Sequence, residues 1–144
     1  MQIVILYLST AAVFLTLDAI MLTLVMKPLF MRHIGELMVQ PIRIAPAAAF
    51  YAAYVAGLIY LVSLPALRTG APILVPAAII GAMAYGTYEF TSYAIMKGWS
   101  PVMVATDVIW GTVLTAMSAS DVYKRQSLSK AKCREISITK TTRP

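Results

Sequence analysis

The chain has 144 residues, of which 60% are hydrophobic and only 12% are charged, and its mean hydropathy is +0.77. An average soluble domain is roughly 25% charged, so this composition excludes a disordered chain and argues against a soluble enzyme. The single cysteine, Cys133, excludes an intrachain disulfide and a zinc site built on cysteines. The composition predicts one small integral membrane domain, with the lipid bilayer as its first partner.

The net charge of +6 is concentrated near the C-terminus. Residues 121–144 carry seven Lys or Arg and two acids, a net charge of +5, whereas the 120 residues before them carry only +1. The high isoelectric point is therefore a property of the C-terminal segment and gives no basic face on a folded domain. We expect no nucleic-acid partner.

Four long apolar segments follow one another along the chain. The predicted helices are about 3–26, 46–64, 73–96 and 101–119. A helix of about 20 residues is roughly 30 Å long, the thickness of the hydrocarbon core of a bilayer. Pro28, Pro65 and Gly98 stand at the joints, where we expect them to end the first three helices. The predicted fold is all-α, an integral membrane four-helix up-down bundle formed by residues 1–117.

The connection between the first two predicted helices is itself patterned. Residues 29–40 place apolar side chains on one helical face and polar side chains on the other. This pattern predicts a short interfacial helix lying along the membrane surface. An ordinary solvated loop is the alternative.

The sequence changes character at Ser118. Residues 118–144 are polar and basic and lack a helical repeat of apolar positions, so we expect a disordered tail. The string SASDVYKRQ at its start also resembles adapter-derived sequence read through at the ends of proteins translated from assembled metagenomes. We therefore expect the tail to be non-native.

Three carboxylic acids lie inside the predicted spans: Asp18, Glu89 and Asp107. An acid at the bilayer centre costs about 2.5–3.5 kcal/mol on insertion scales, so all three should face the protein interior. Asp18 lies eight residues before Met26, while Glu89 and Asp107 lie nine residues before and after Gly98. Because an up-down topology puts both turns on one side of the membrane, the spacing predicts that the three acids share one layer.

Polar and aromatic residues surround these acids in the sequence. The candidate intramembrane site comprises Asp18, Glu89, Asp107, Tyr85, Tyr88, Thr91, Ser92, Tyr93 and Trp110. Trp99, Tyr51 and Tyr54 are instead interpreted as interface anchors or packing residues. Three carboxylates without a basic partner in low dielectric cannot all be ionised unless a cation binds or water reaches them. We predict that Glu89 and Asp107 share a proton, with a bound cation or a wet cavity as the alternatives.

Other site chemistries find little support. The single histidine, His33, lies outside the predicted spans, so no nucleophile there has a histidine partner. The acids have no metal-specific spacing. We expect no cofactor and no metal, and a catalytic role is the less favoured reading.

Three segments carry a family resemblance: LTLDAIML, YGTYEFTSYAIMKGWS and TDVIWGTVLTA. Together they resemble a bacterial membrane protein family, domain of unknown function 2177, over residues 1–117. The family pattern maps onto Asp18, Tyr88, Glu89, Thr91, Lys97, Trp99, Asp107, Trp110 and Gly111. Ser92 departs from it, since the family usually has Asn there. The resemblance implies a membrane protein with these site positions and brings no assigned activity.

Three functions stay open at this point. The first is a small cation- or proton-coupled transport-related protein, which would work as a homo-oligomer because so small a bundle encloses no path alone. The second is a membrane-embedded enzyme acting on a lipid-like substrate. The third is a structural or assembly subunit in which the acids only hold helices together. The distribution of Lys and Arg outside the tail predicts a multi-pass protein of the inner (plasma) membrane with external termini.

Overall fold

The computed structural model describes residues 2–39 and 41–141, and this part of the chain is helical apart from short turns. The helices are α1 (Gln2–Met21), α2 (Lys27–Ile34), α3 (Ile44–Leu58), α4 (Leu64–Thr69), α5 (Leu74–Ile95) and α6 (Pro101–Thr141). Two π-helical segments, Leu22–Met26 and Ile59–Ser63, join α1 to α2 and α3 to α4. The predicted all-α class is correct, since no strand occurs in the described ranges.

Three helical stretches are long and apolar enough to cross a membrane: Ile3–Leu37, Ile44–Thr69 and Pro101–Lys124. The fourth helical stretch, α5, has 22 residues and is therefore about 33 Å long. It is less hydrophobic than the others because its second half carries Glu89 and several tyrosines. The chain is thus an all-helical protein with three candidate spans and one further long helix.

Pro28 and Pro65 do not end their helices, contrary to the sequence expectation. Each proline stands near the start of a helix that directly continues a π-helical segment. Just before each proline, an N–H donates five residues back, from Lys27 to the carbonyl of Leu22 and from Leu64 to that of Ile59. A π turn is one residue wider than an α turn, which accommodates a proline that lacks an N–H and would clash with the carbonyl four residues earlier.

The interfacial helix predicted for residues 29–40 is not confirmed. Residues up to Ile34 continue the first helical stretch as α2, and a 3₁₀ turn, Gly35–Leu37, follows. Ile34 is buried against Trp99 and Met103. The end of α2 therefore packs against the protein interior. Gln40, the last residue of that prediction, lies outside the described residues.

α6 continues into the tail and ends at Thr141, and the disorder expected of residues 118–144 stays a prediction. No glycine or proline occurs between Gly111 and Pro144 to end the helix. The first tail residues also pack inside the molecule, since Ser118 and Val122 are buried. The non-native origin of the tail stays a prediction, and residues 142–144 lie outside the described part.

The closest helix crossing joins α5 to α6. A Cβ at Gly81 would lie 2.5 Å from the carbonyl oxygen of Gly111 and 2.8 Å from Oγ1 of Thr115. A Cβ at Gly111 would overlap the aromatic ring of Tyr85. The two glycines therefore permit the backbones to approach, as small residues do between membrane helices. This crossing fixes how the acid on α5 faces the acid on α6.

Candidate functional site

The turn between α5 and α6 places an indole against the acid of α5. Trp99 is buried, and its Nε1 donates a 2.8 Å hydrogen bond to Oε2 of Glu89, which is 0% exposed. The Trp99 ring packs edge-on to Tyr88 at 5.6 Å and against Phe30 of α2 at 5.4 Å between ring centroids. Gly98 makes this turn possible with φ of 87°, in the left-handed region that favours glycine.

Glu89 meets Asp107 across the crossing of α5 and α6. The two carboxyl groups lie close enough for each to act on the ionisation of the other. Oε1 of Glu89 is buried and accepts no hydrogen bond from the described residues. A carboxylate only accepts, so two carboxyl groups can hydrogen-bond only when one of them carries a proton. A hydrogen bond between Glu89 and Asp107 therefore requires a proton on one of them.

Asp18 forms a second contact, between α1 and α6. The Nε1 atom of Trp110 donates a 3.2 Å hydrogen bond to Oδ1 of Asp18, and Asp18 is 2% exposed. The hydroxyl of Tyr51 on α3 lies beside the same carboxyl group. Asp107 is also within electrostatic range of Asp18. The structure thus brings Asp18, Glu89 and Asp107 together, and we call these three residues the carboxylate cluster.

No cation balances the carboxylate cluster among the side chains that the structure describes. Lys27 and Lys97, the bases nearest in sequence, are both exposed, which leaves their ammonium groups free to reach water. Within the described ranges, no group of three His, Cys, Asp or Glu residues converges closely enough to hold a metal ion. The donors that reach the acids are the N–H groups of two indoles.

The remaining predicted site residues divide into two groups. Tyr85 lies over Gly111 with a buried hydroxyl, and Ser92 is buried. Tyr88 and Tyr93 are 53% and 48% exposed, and the Thr91 hydroxyl bonds to the carbonyl of Thr87 on its own helix. Thr91 and Tyr93 therefore do not join the carboxylate cluster, whereas Tyr88 packs on Trp99 and lies within electrostatic range of Glu89 and Asp107.

Tyr93 instead lines an apolar groove on the outer surface between α5 and α6. This groove has a volume of about 370 Å³. Its other lining residues are Phe90, Pro101, Val104, Ala105, Val108 and Ile109. None of the three acids lines the groove.

Two contacts of the site were not predicted from the sequence. Trp99 and Tyr51 were interpreted as interface or packing residues, yet Trp99 donates to Glu89 and Tyr51 lies beside Asp18. For Trp99 a signal existed, because it belongs to the family pattern. For Tyr51 nothing in the spacing distinguishes it from Tyr60, which is 73% exposed.

Comparison with known proteins gives one family. The profile of the family described as "Predicted membrane protein (DUF2177)" matches residues 3–123. No curated protein and no solved structure matches the chain. The match includes all three acids, both indoles and the glycines of the helix crossing.

Proposed function

The chain belongs to the DUF2177 family of predicted membrane proteins, and from this premise we propose that its carboxylate cluster binds and releases a proton in a small proton-coupled membrane protein. The observation that carries the proposal is the buried Glu89–Asp107 pair. Both acids are buried, lie close enough to act on each other's ionisation and have no basic partner among the described side chains. Such a pair is stable when its two members share one proton. It is destabilised by charge repulsion when both members are ionised.

Proton binding fits the site better than binding of a divalent cation. Mg²⁺ and Ca²⁺ take six or more oxygen ligands in most proteins, whereas Glu89 and Asp18 each accept a hydrogen bond from an indole N–H, a group that cannot ligate a metal. The groove beside α5 and α6 contains none of the acids, so it gives no support to a lipid-like substrate at the carboxylate cluster.

Infrared spectroscopy of the full chain in lipid tests the proposal. We expect a protonated-carboxyl C=O stretch at pH 7 that disappears at alkaline pH and changes in Glu89→Gln and Asp107→Asn. Glu36→Gln is the matched control, because Glu36 is an exposed acid outside the carboxylate cluster. Absence of the band at pH 7 would mean that all the acids are ionised, and the proposal would fail.

Proton movement is tested in proteoliposomes that contain a pH-sensitive dye. We expect proton flux with the unmodified chain and with Glu36→Gln, and loss of flux with Asp107→Asn. Equal proton flux in all three samples counts against proton coupling. A flux with the unmodified chain that is as low as in vesicles without protein also counts against it.

A structural role is the second candidate, and the two indole–carboxylate hydrogen bonds favour it. The bond between Trp110 and Asp18 ties α1 to α6, and the bond between Trp99 and Glu89 ties the turn to α5. Asp18→Asn keeps a carbonyl that accepts from the indole but removes titration. If Asp18→Asn and Asp107→Asn insert, stay stable and retain the cellular phenotype of the unmodified chain, the structural role is favoured.

We also propose that α5 completes an up-down four-helix bundle, with α1–α2, α3–α4 and α6 as the other spans, in the inner (plasma) membrane. The connection between α2 and α3 and the turn at 96–100 then share one side. Lys27, Arg32, Arg43 and Lys97 lie on this side, against Arg68 on the other, so the positive-inside rule makes it cytoplasmic and places the N-terminus outside. A homo-oligomer would supply the path that one bundle is too small to enclose, and cross-linking in membranes tests it.

A further inference from the structure

Two buried polar atoms near the carboxylate cluster take no part in the Glu89–Asp107 pair. They are Oδ2 of Asp18 and the hydroxyl oxygen of Tyr85, and neither has a hydrogen-bond partner among the described residues. The other oxygen of Asp18 already accepts from Trp110. Buried polar groups in folded proteins nearly always form a hydrogen bond with protein or with ordered water. We therefore expect each of these two atoms to have a hydrogen-bond partner.

The packing puts both atoms in the same region. The ring of Tyr85 lies on Gly111, and the residue before it, Trp110, holds Asp18 by its indole N–H. Tyr85 interacts electrostatically with Asp18, and Tyr51 lies beside the same carboxyl group. The region between α1, α3, α5 and α6 therefore presents one carboxylate oxygen and two phenolic hydroxyls.

We propose that a buried water molecule binds between Oδ2 of Asp18 and the Tyr85 hydroxyl, with the Tyr51 hydroxyl as its third partner. Water donates to the carboxylate oxygen and accepts from a hydroxyl, and buried waters usually have two to four such partners. One carboxylate oxygen and two hydroxyls suit water better than a metal ion.

The role of this water rests on the proposed function. Asp107 is within electrostatic range of both Asp18 and Tyr85. The water thus lies near the Glu89–Asp107 pair, where the charge of Asp107 acts on Asp18 and Tyr85. Its existence, in contrast, depends only on the packing around Asp18 and Tyr85.

X-ray radiolytic labelling of the full chain in lipid nanodiscs tests the water directly. Ionisation of a bound water oxidises the side chains around it, even where bulk water does not reach. We expect Tyr85 to be labelled several-fold faster than Tyr54, which is also partly buried but bonds to Thr115 through its hydroxyl at 2.8 Å. In Asp18→Leu the rate at Tyr85 should fall to that of Tyr54.

Tyr51→Phe is a second variant that keeps the ring packing and removes one hydroxyl, and Tyr60→Phe on the same helical stretch is its control. We expect a slower rate at Tyr85 in Tyr51→Phe and an unchanged rate in Tyr60→Phe. Equal labelling of Tyr85 and Tyr54 in the unmodified chain overturns the inference, as does an unchanged Tyr85 rate in Tyr51→Phe. Neither result depends on the carboxyl C=O band, which tests the shared proton. The water and the proposed function can therefore be rejected independently.

Discussion

The indole N–H of Trp99 donates a 2.8 Å hydrogen bond to Oε2 of Glu89, ten residues earlier in the chain. Both residues are buried, and the bond joins the turn at 96–100 to the middle of α5. Trp110 makes the corresponding bond to Asp18 at 3.2 Å, with its own ring only partly buried. Each of these two acids therefore accepts a hydrogen bond from one indole, and the shorter of the two bonds lies beside the turn.

Trp99→Phe should destabilise the protein by about 1–3 kcal/mol, because it leaves a buried carboxyl oxygen without its donor while keeping an aromatic ring beside Phe30 and Tyr88. Trp110→Phe removes a longer bond to Asp18 and should cost less. Denaturant unfolding in detergent measures both. An equal or greater loss in Trp110→Phe would contradict the ranking.

Gly111→Ala and Gly81→Ala should each disrupt the crossing of α5 and α6. The added methyl would overlap the Tyr85 ring in the first case and lie 2.5 Å from the Gly111 carbonyl in the second. We expect losses of about 1–3 kcal/mol, as for other overpacked sites, measured by thermal unfolding in lipid or detergent.

Gly86→Ala is the control for this pair, since it lies on the same helix and its methyl would come no closer than 3.9 Å to Phe90. It should be neutral or stabilising by about 0.5–1 kcal/mol, because alanine favours the helix. If Gly81→Ala behaves like Gly86→Ala, α5 and α6 do not approach as closely as described.

Tyr54→Phe should cost about 0.6 kcal/mol, the typical strength of a hydrogen bond between membrane helices. It removes the 2.8 Å bond between the Tyr54 hydroxyl and Oγ1 of Thr115, which links α3 to α6. Tyr60→Phe makes the same chemical change on a side chain that is 73% exposed and should have no effect. A double variant with Thr115→Val tests the assignment, because Tyr54→Phe should add nothing to it.

Reporter fusions after Leu67 and Met117 test the orientation proposed above. Both points should be external, so alkaline phosphatase should be active and green fluorescent protein dark at each. The matched fusion after Lys97 should give the opposite result, since the turn at 96–100 is proposed to be cytoplasmic. Inactive phosphatase after both Leu67 and Met117 would reverse the orientation, and opposite results at those two points would remove α5 or α6 as a span.

The sequence by itself determined that this protein lies in a lipid bilayer and that its fold is helical. Long apolar segments with few charges are local properties of the chain, and only helices or closed barrels satisfy their backbone groups in lipid. The count of residues between each acid and its nearest turn also predicted that Asp18, Glu89 and Asp107 would lie together. That argument needs the fixed rise of a helix and an up-down order of the helices, because depth along the axis then follows from position in the chain.

Only the tertiary structure decided which side chains meet the acids. Trp99 and Tyr51 reach the carboxylate cluster, whereas Thr91 and Tyr93 face away from it. Spacing gives the relative angles of residues on one helix, but the rotation of each helix against its neighbours depends on packing, here on Gly81 and Gly111. The helices continue through Pro28 and Pro65 because a π-helical turn before each proline accommodates its missing N–H, and the sequence pattern does not reveal these turns.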